Sequence, residues 1–473
     1  MSTRVAPFAG PAAASRASTP AQGGRFAGYA YVAIAVLFLL ALTLGGGSSR
    51  TDVPQLPVLR GLAVPVMIAA LWSRAALFPP ALRALWLFAF AAAALMAAQM
   101  IPLPPLIWLR LPGRDIVLTG LRLAGAPGSW QPLSLTPQAT LDATLALLPI
   151  FAAFTLFATV KDRPAWSMGM IGVIVLTSVA LAVVQTSVDS ARLFALTNDD
   201  VPVGIFANRN HQAALLAIGF PIGAWLLYHL PNQRLSGTIR GVALGILAAT
   251  QMILLLVTGS RSGLILGILG ATLSVPLLAP RGWLGWRVIA AIALAALVAA
   301  LVLAWSGANF VTIRRFMGSD EVDLRLDVLG DVLAMLRAYF PAGAGYGSFV
   351  SAYQIVERRE MLAPTYLNAA HNDLLQLGIE GGAPACALLL IFALWWTRAA
   401  WRLLTARAPR QAALIAAGRS AVIATGLLLL ASLLDYPLRT PVLAAIFVVL
   451  CGLIATARAA LPDPAKTAPP ATT

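Results

Sequence analysis

Charge is scarce in this chain. Asp, Glu, Lys and Arg make up 11% of its 473 residues, against about a quarter in an ordinary soluble domain. Hydrophobic residues make up 59%, and mean hydropathy is +0.83. No single folded core hides that much apolar surface from water, but a bilayer does. Acids are scarcer still, 18 against 33 bases, for a net charge of +15. The bases cap hydrophobic blocks instead of gathering into a basic domain. That is the positive-inside pattern of a membrane protein, so nucleic acid is not expected as a partner. Only two cysteines occur, Cys386 and Cys451, both in apolar blocks. They offer neither a disulfide framework nor Cys-x-x-Cys metal spacing. The acids Asp320, Glu321, Asp323, Asp327 and Asp331 cluster, but at no calcium- or magnesium-loop spacing. Metal and cofactor are both expected to be none.

What the chain has is long apolar blocks. A span needs about 20 apolar residues. Twelve candidates lie near 28–45, 56–73, 84–103, 140–160, 168–187, 211–230, 238–258, 262–280, 286–305, 381–397, 412–433 and 438–457. The second is interrupted by Arg60 and Pro65, and the tenth is short. A cleavable signal peptide competes for the first block, but no small-residue cleavage site follows it and many blocks do. The fold class expected is therefore an all-α integral membrane protein of about 12 transmembrane helices over residues 28–460. Residues 1–27 and 461–473, rich in Ala and Pro, read as disordered tails. With the N-terminus inside, the cytoplasmic connections carry Arg74 and Arg83, Lys161 and Arg163, Arg234 and Arg240, Arg281 and Arg287, then Arg398 to Arg410. An even number of spans puts both termini in the cytoplasm. The notable polar residues inside spans are Gln99, Gln185 and Gln251, with no carboxylate mid-span. An ion-coupled transporter usually keeps ionisable groups there.

The largest polar interruption, 306–382, lies on the outer side. Within it, Leu326, Leu329, Leu333, Leu336 and Phe340 recur at helical spacing. They form an apolar stripe for a membrane surface or a neighbouring helix, ended by Pro341. Gly343, Gly345 and Gly347 then alternate through Tyr346. Such a turn approaches another surface closely and could leave amides free for an anion. His371-Asn372-Asp373 follows and leads into the tenth span. Histidine near an interface takes up a proton near neutral pH, although a capping role is the plainer reading. His211 and His229 read as helix-start and interfacial residues. Two outer arginines stand out. Arg261 sits in the tight turn Thr258-Gly259-Ser260-Arg261-Ser262-Gly263, and Arg209 is flanked by Asn208, Asn210 and His211. Snorkelling explains either one alone. Converging, they suit a phosphate or pyrophosphate, whose oxygens match guanidinium forks. Asp435 and Arg439 bracket a short outer turn, where they pair with each other or with the site.

Four stretches in order carry a family resemblance: Phe206 to Ala213, Thr258 to Gly263, Arg325 through Pro341–Phe349, and His371 to Gly381. Together they resemble the O-antigen ligase and O-antigen polymerase family of bacterial inner-membrane proteins, with a core at about 251–396. The resemblance implies a large periplasmic loop containing amphipathic helices. It implies inverting, metal-independent transfer of a glycan from undecaprenyl pyrophosphate to an acceptor hydroxyl. The acceptor is lipid A-core in ligases and another lipid-linked repeat in polymerases, and membrane lipids surround both. By motif, Arg209 and Arg261 hold the pyrophosphate and His371 is catalytic. Arg325, Tyr346, Asn372, Asp373 and Glu380 are supporting candidates, with Asn208, Asn210, Asp435 and Arg439 beside them. The alternatives are a transporter or flippase of lipid-linked oligosaccharide and a scaffold without chemistry.

Overall fold

A computed structural model describes residues 22–72, 77–188, 190–198, 201–229, 236–278, 320–361, 367–406 and 413–461. Among these residues the regular structure is helical apart from one two-residue ladder. The first group of helices is α1 (Gln22–Gly45), α2 (Gln55–Trp72), α3 (Arg83–Ala98), α4 (Pro105–Trp108), α5 (Asp115–Leu123), α6 (Pro137–Leu145), α7 (Leu147–Val160) and α8 (Pro164–Gln185). The second is α9 (Arg209–His229), α10 (Gly237–Val257), α11 (Arg261–Leu278), α12 (Asp320–Tyr339), α13 (Phe349–Val356), α14 (Asp373–Thr405), α15 (Ala413–Ser432) and α16 (Pro441–Ala459). Among the described residues, nine helical stretches are long and apolar enough to cross a membrane, and Tyr29–Gly45 and Arg261–Val275 are shorter apolar helices. The chain is a multi-pass membrane protein. The expected span 286–305, the start of the loop at 306–319 and the cluster Arg407 to Arg410 lie outside the described residues.

Helix α9 is the centre of the bundle, with buried residues on every side. Small residues let its neighbours approach. A Cβ on Gly263 of α11 would sit 2.2 Å from the Ala213 Cβ of α9, and one on Gly270 would sit 2.6 Å from the Ala217 carbonyl. Without a hydrophobic drive between helices in lipid, such close backbone packing is what holds them. The two helices therefore run side by side in the same direction. Arg60, which made the second span doubtful, is neutralised: it reaches the Asp142 carboxylate at 3.3 Å and the Asp142 carbonyl at 2.9 Å. Asp142 stands on α6, at the beginning of the expected span 140–160, and Glu380 on α14 before its break, so neither carboxylate is mid-span.

Three further expectations change. The tenth span is not short. Helix α14 runs 33 residues, and Gly382 breaks it with φ 62° and ψ −155°. The Ala383 amide bonds the Pro341 carbonyl at 2.8 Å instead of its own helix. The part before the break closes the segment begun by α12, and the part after it continues past Trp396 to Thr405. Second, α12 buries Val328, Val332, Met335 and Tyr339, whereas Leu329 and Phe340 are exposed. Leu336 packs partly against the same cluster, so the expected stripe is covered there and left open at Leu329. Third, the glycine turn holds no free cradle. The amides of Gly343, Ala344, Gly345, Tyr346, Ser348 and Phe349 all donate within the fold.

That turn has positive φ at Gly343, Gly345 and Gly347. At Gly345 (φ +103°) a Cβ would also meet the Ser134 Oγ at 2.3 Å. Gly345→Ala is expected to destabilise by ~2–4 kcal/mol, from the forbidden backbone and overpacking together. Gly128→Ala, whose Cβ meets nothing within 4 Å, is expected to stay within about 0.5 kcal/mol. Thermal melting of the purified protein in detergent checks the pair.

Candidate functional site

Two helices begin with the expected arginines. The α10–α11 turn does so by capping. Gly259 (φ +69°) reverses the chain, and the Ser260 Oγ accepts the Gly263 amide at 3.1 Å, so Arg261 is the first residue of α11. At α9 the Asn208 Oδ1 accepts the Asn210 amide at 2.8 Å, and the Asn198 Oδ1 accepts the Arg209 amide at 3.1 Å. Asn208 and Asn210 therefore shape the helix start. Gln185 secures the preceding loop, accepting the Val203 and Gly204 amides and donating to the Ala191 and Gly204 carbonyls. Because α9 and α11 pack side by side, Arg209 and Arg261 stand at neighbouring helix N-termini. Helix dipoles add positive potential there.

His371 stands before α14 with φ 48°, the one non-glycine residue with positive φ among the described residues. A left-handed backbone on a histidine persists only where its surroundings hold it, and such strain gathers at working sites. The restraints are visible. The Asn372 Oδ1 accepts the Leu374 and Leu375 amides, each at 3.0 Å, and its Nδ2 donates to the Leu433 carbonyl at 3.0 Å. The Ala370 amide donates to the Gln376 Oε1 at 3.0 Å. The His371 Nδ1 lies 3.1 Å from the Asp435 Oδ1. With a carboxylate accepting at Nδ1, the proton sits there and Nε2 is left as the proton acceptor. The His371 side chain is 28% exposed, so the ring borders the outside.

Tyr436 joins the two halves. Its ring is edge-on to His371 and to His211, each at 5.1 Å between centroids, and its hydroxyl donates to the Asn368 Oδ1 at 3.3 Å. His211 is on the first turn of α9, so this contact places the histidine beside the arginine-headed helices. Arg439 does not pair with Asp435 in the bonds it makes. Its Nε reaches the Asp373 Oδ1 and its Nη2 the Glu380 Oε2, both at 3.2 Å. Burial pulls that guanidinium down, but Glu380 and Asp373 outweigh it and hold it above its ordinary value. Glu380 is fully buried and also takes the Gln376 Nε2 and the Phe349 amide. Tyr346 packs near Glu380, where burial raises its hydroxyl.

The structure thus gathers His371, Asn372, Asp373, Glu380, Asp435 and Arg439 into one network, and seats Arg209 and Arg261 on its flank. The Arg325 side chain lies outside the described residues. Sequence reasoning missed Tyr436 and Gln376, and it took His211 for a mere helix start. An aromatic between Asp435 and a proline was the available signal. Among the described residues no group of three His, Cys, Asp or Glu side chains is placed to hold a metal.

A family model described as Wzy_C, O-Antigen ligase, matches residues 246–390. The chain carries an O-antigen ligase family domain. The matched stretch includes Arg261, the glycine turn, His371 and Glu380; the stretch Phe206–Ala213 with Arg209, on which the resemblance also rested, lies before it. The domain implies glycosyl transfer of O-antigen ligase or polymerase type, acting on lipid-linked glycans. No curated protein matches the chain.

Arg439→Ala would leave Glu380 buried without its cation, an expected loss of ~3–5 kcal/mol. Arg439→Lys keeps the charge but not the two-pronged geometry, and should lie between. Melting temperature and membrane yield of the two variants check this.

Proposed function

We propose that this protein transfers a glycan from undecaprenyl pyrophosphate to an acceptor hydroxyl at the periplasmic face of the bacterial inner membrane, with inversion at the anomeric carbon. The observation that carries the reading is the strained His371, paired with Asp435 beside two arginine-headed helix N-termini. Arg209 and Arg261 hold the pyrophosphate. Both charges are fixed before reaction, so the negative charge that grows on the leaving group is stabilised without reorganisation and without a metal. The His371 Nε2 takes the proton from the acceptor hydroxyl. The oxygen's electron pair forms the new bond to the anomeric carbon, and the carbon–oxygen bond to pyrophosphate breaks on the opposite side. Undecaprenyl pyrophosphate departs with that electron pair. Asp435 holds the proton-accepting tautomer and stabilises the imidazolium that forms. Asn372, Asp373, Glu380 and Arg439 fix the start of α14, and so the histidine, in place.

His371→Ala and Arg261→Ala are expected to abolish glycan transfer while inserting normally, read as surface glycan on gels beside membrane-protein yield. Normal glycan from both stably inserted variants would overturn the proposal. Asp435→Asn should keep the fold and lower turnover by about 10²-fold, by loss of the tautomer and of charge stabilisation. A steady-state assay with purified lipid-linked donor measures it. In a deletion strain, long chains left on the lipid carrier indicate a ligase and single repeats a polymerase.

A further inference from the structure

The segment Pro104–Trp130, away from the site, has an unexplained surface. It joins the end of α3 to the start of α6, both in membrane-crossing stretches. The ladder Pro102–Leu103 against Gln131–Pro132 pins its base, and the Trp108 indole donates to the Pro132 carbonyl at 3.0 Å. Its base is five residues or fewer from each membrane helix, so its foot lies within about 16 Å of them. No residue of α5 is buried. Its apolar residues are Ile116, Val117, Leu118, Leu121 and Leu123, against a narrow polar arc of Asp115, Thr119 and Arg122; Val117, Leu118 and Leu121 are half-buried, and Ile116 and Leu123 are exposed. Leu106 is 77% exposed, Leu123 87% and Trp130 62%. In water such a surface would be a liability.

We infer that Pro104–Trp130 is a paddle lying in the outer interface of the membrane, with anionic lipid headgroups as its partner. The apolar arc, the indole of Trp130 and the position between two spans fit an interface helix. The charge fits an anionic partner. Arg110 and Arg122 are exposed, against the single acid Asp115, and each base near such a surface is drawn to it. The paddle is not loosely hung. The Arg114 guanidinium is buried beneath it and donates to the Pro112, Leu133 and Gly343 carbonyls at 2.9, 2.6 and 2.9 Å. Gly343 belongs to the turn that packs on Glu380, two helical turns from Asp373. The lipid surface therefore sets the depth of the outer segment. Where the glycosyl-transfer reading holds, it also sets the depth at which His371 meets a lipid-borne acceptor.

The test uses the full chain in nanodiscs, with Cys386→Ala and Cys451→Ala, and single spin labels through Leu106→Cys, Ile116→Cys, Leu123→Cys and, as the polar-arc control, Thr119→Cys. The ratio of oxygen to nickel-chelate collision rates is expected to be several-fold higher at the three apolar positions than at Thr119. In discs with about a third phosphatidylglycerol the labels should sit deeper than in pure phosphatidylcholine, and Arg110→Gln with Arg122→Gln should remove that difference. Labels at Leu106 and Leu123 as open to the nickel chelate as Thr119 would overturn the paddle. So would labels shielded from both reagents, which mean a protein cover. Equal depth in both lipids would overturn the anionic partner. None of these readouts needs glycosyl transfer, so an inactive enzyme with a lipid-seated paddle separates the two proposals.

Discussion

The buried Glu380 carboxylate is the interaction on which the region around His371 depends. Its two oxygens take Arg439 from the α15–α16 turn, Gln376 from its own helix and the Phe349 amide from the glycine turn. Its carbonyl takes the Gln99 side chain from the end of α3 and the Gly345 amide. Three distant stretches of chain thus meet at one residue. A carboxylate with no exposed surface is tolerated only when charge and hydrogen bonds replace its water. Here they do. The gain is in position as much as in stability, because each partner leaves in a different direction toward the site.

Position is what the chemistry needs. His371 has a backbone that histidine does not choose, held by Gln376 through Ala370, by Asn372 through Leu433 and by Asp435; Gln376, and Arg439 of the turn that carries Asp435, also bond Glu380. Strain of roughly 1–3 kcal/mol is maintained only by such over-determination. The arginines are placed by a separate device, small residues and caps that bring α9 and α11 together at their first turns. Tyr436 is where the two devices touch. In the proposed reaction, His371 and the two arginines are thereby set by separate devices and then brought into register.

Much of this was legible in the chain. Apolar length marked the helices, because a bilayer requires about 20 apolar residues whatever the fold. The tight turn between α10 and α11 was legible in its run of small residues, but not that Ser260 caps α11 or that Gly263 admits Ala213. The motifs around Arg209, Arg261 and His371 were visible because they are short and continuous. Other readings failed where contact decides. The leucines of α12 had helical spacing, but which of them a neighbouring helix covers was not readable, because spacing fixes a stripe and only a partner says how much of it is covered. The glycine turn read as a possible anion cradle, yet its amides were already committed to Glu380, Ile379 and Gln99, residues far away in sequence.

The sequence by itself determined that this is a membrane protein of many helices, which residues cap and break them, and which polar side chains were available outside. These follow from local propensity and from the solvent a segment can enter. Only the tertiary structure decided that Asp435 pairs with His371, that Arg439 goes to Asp373 and Glu380, and that Tyr436 stands between two histidines. Those pairings span 59 residues or more for the hydrogen bonds. Hydrogen bonds and ion pairs act over about 3 Å, and no local pattern in the chain records which distant groups the packed helices will bring that close.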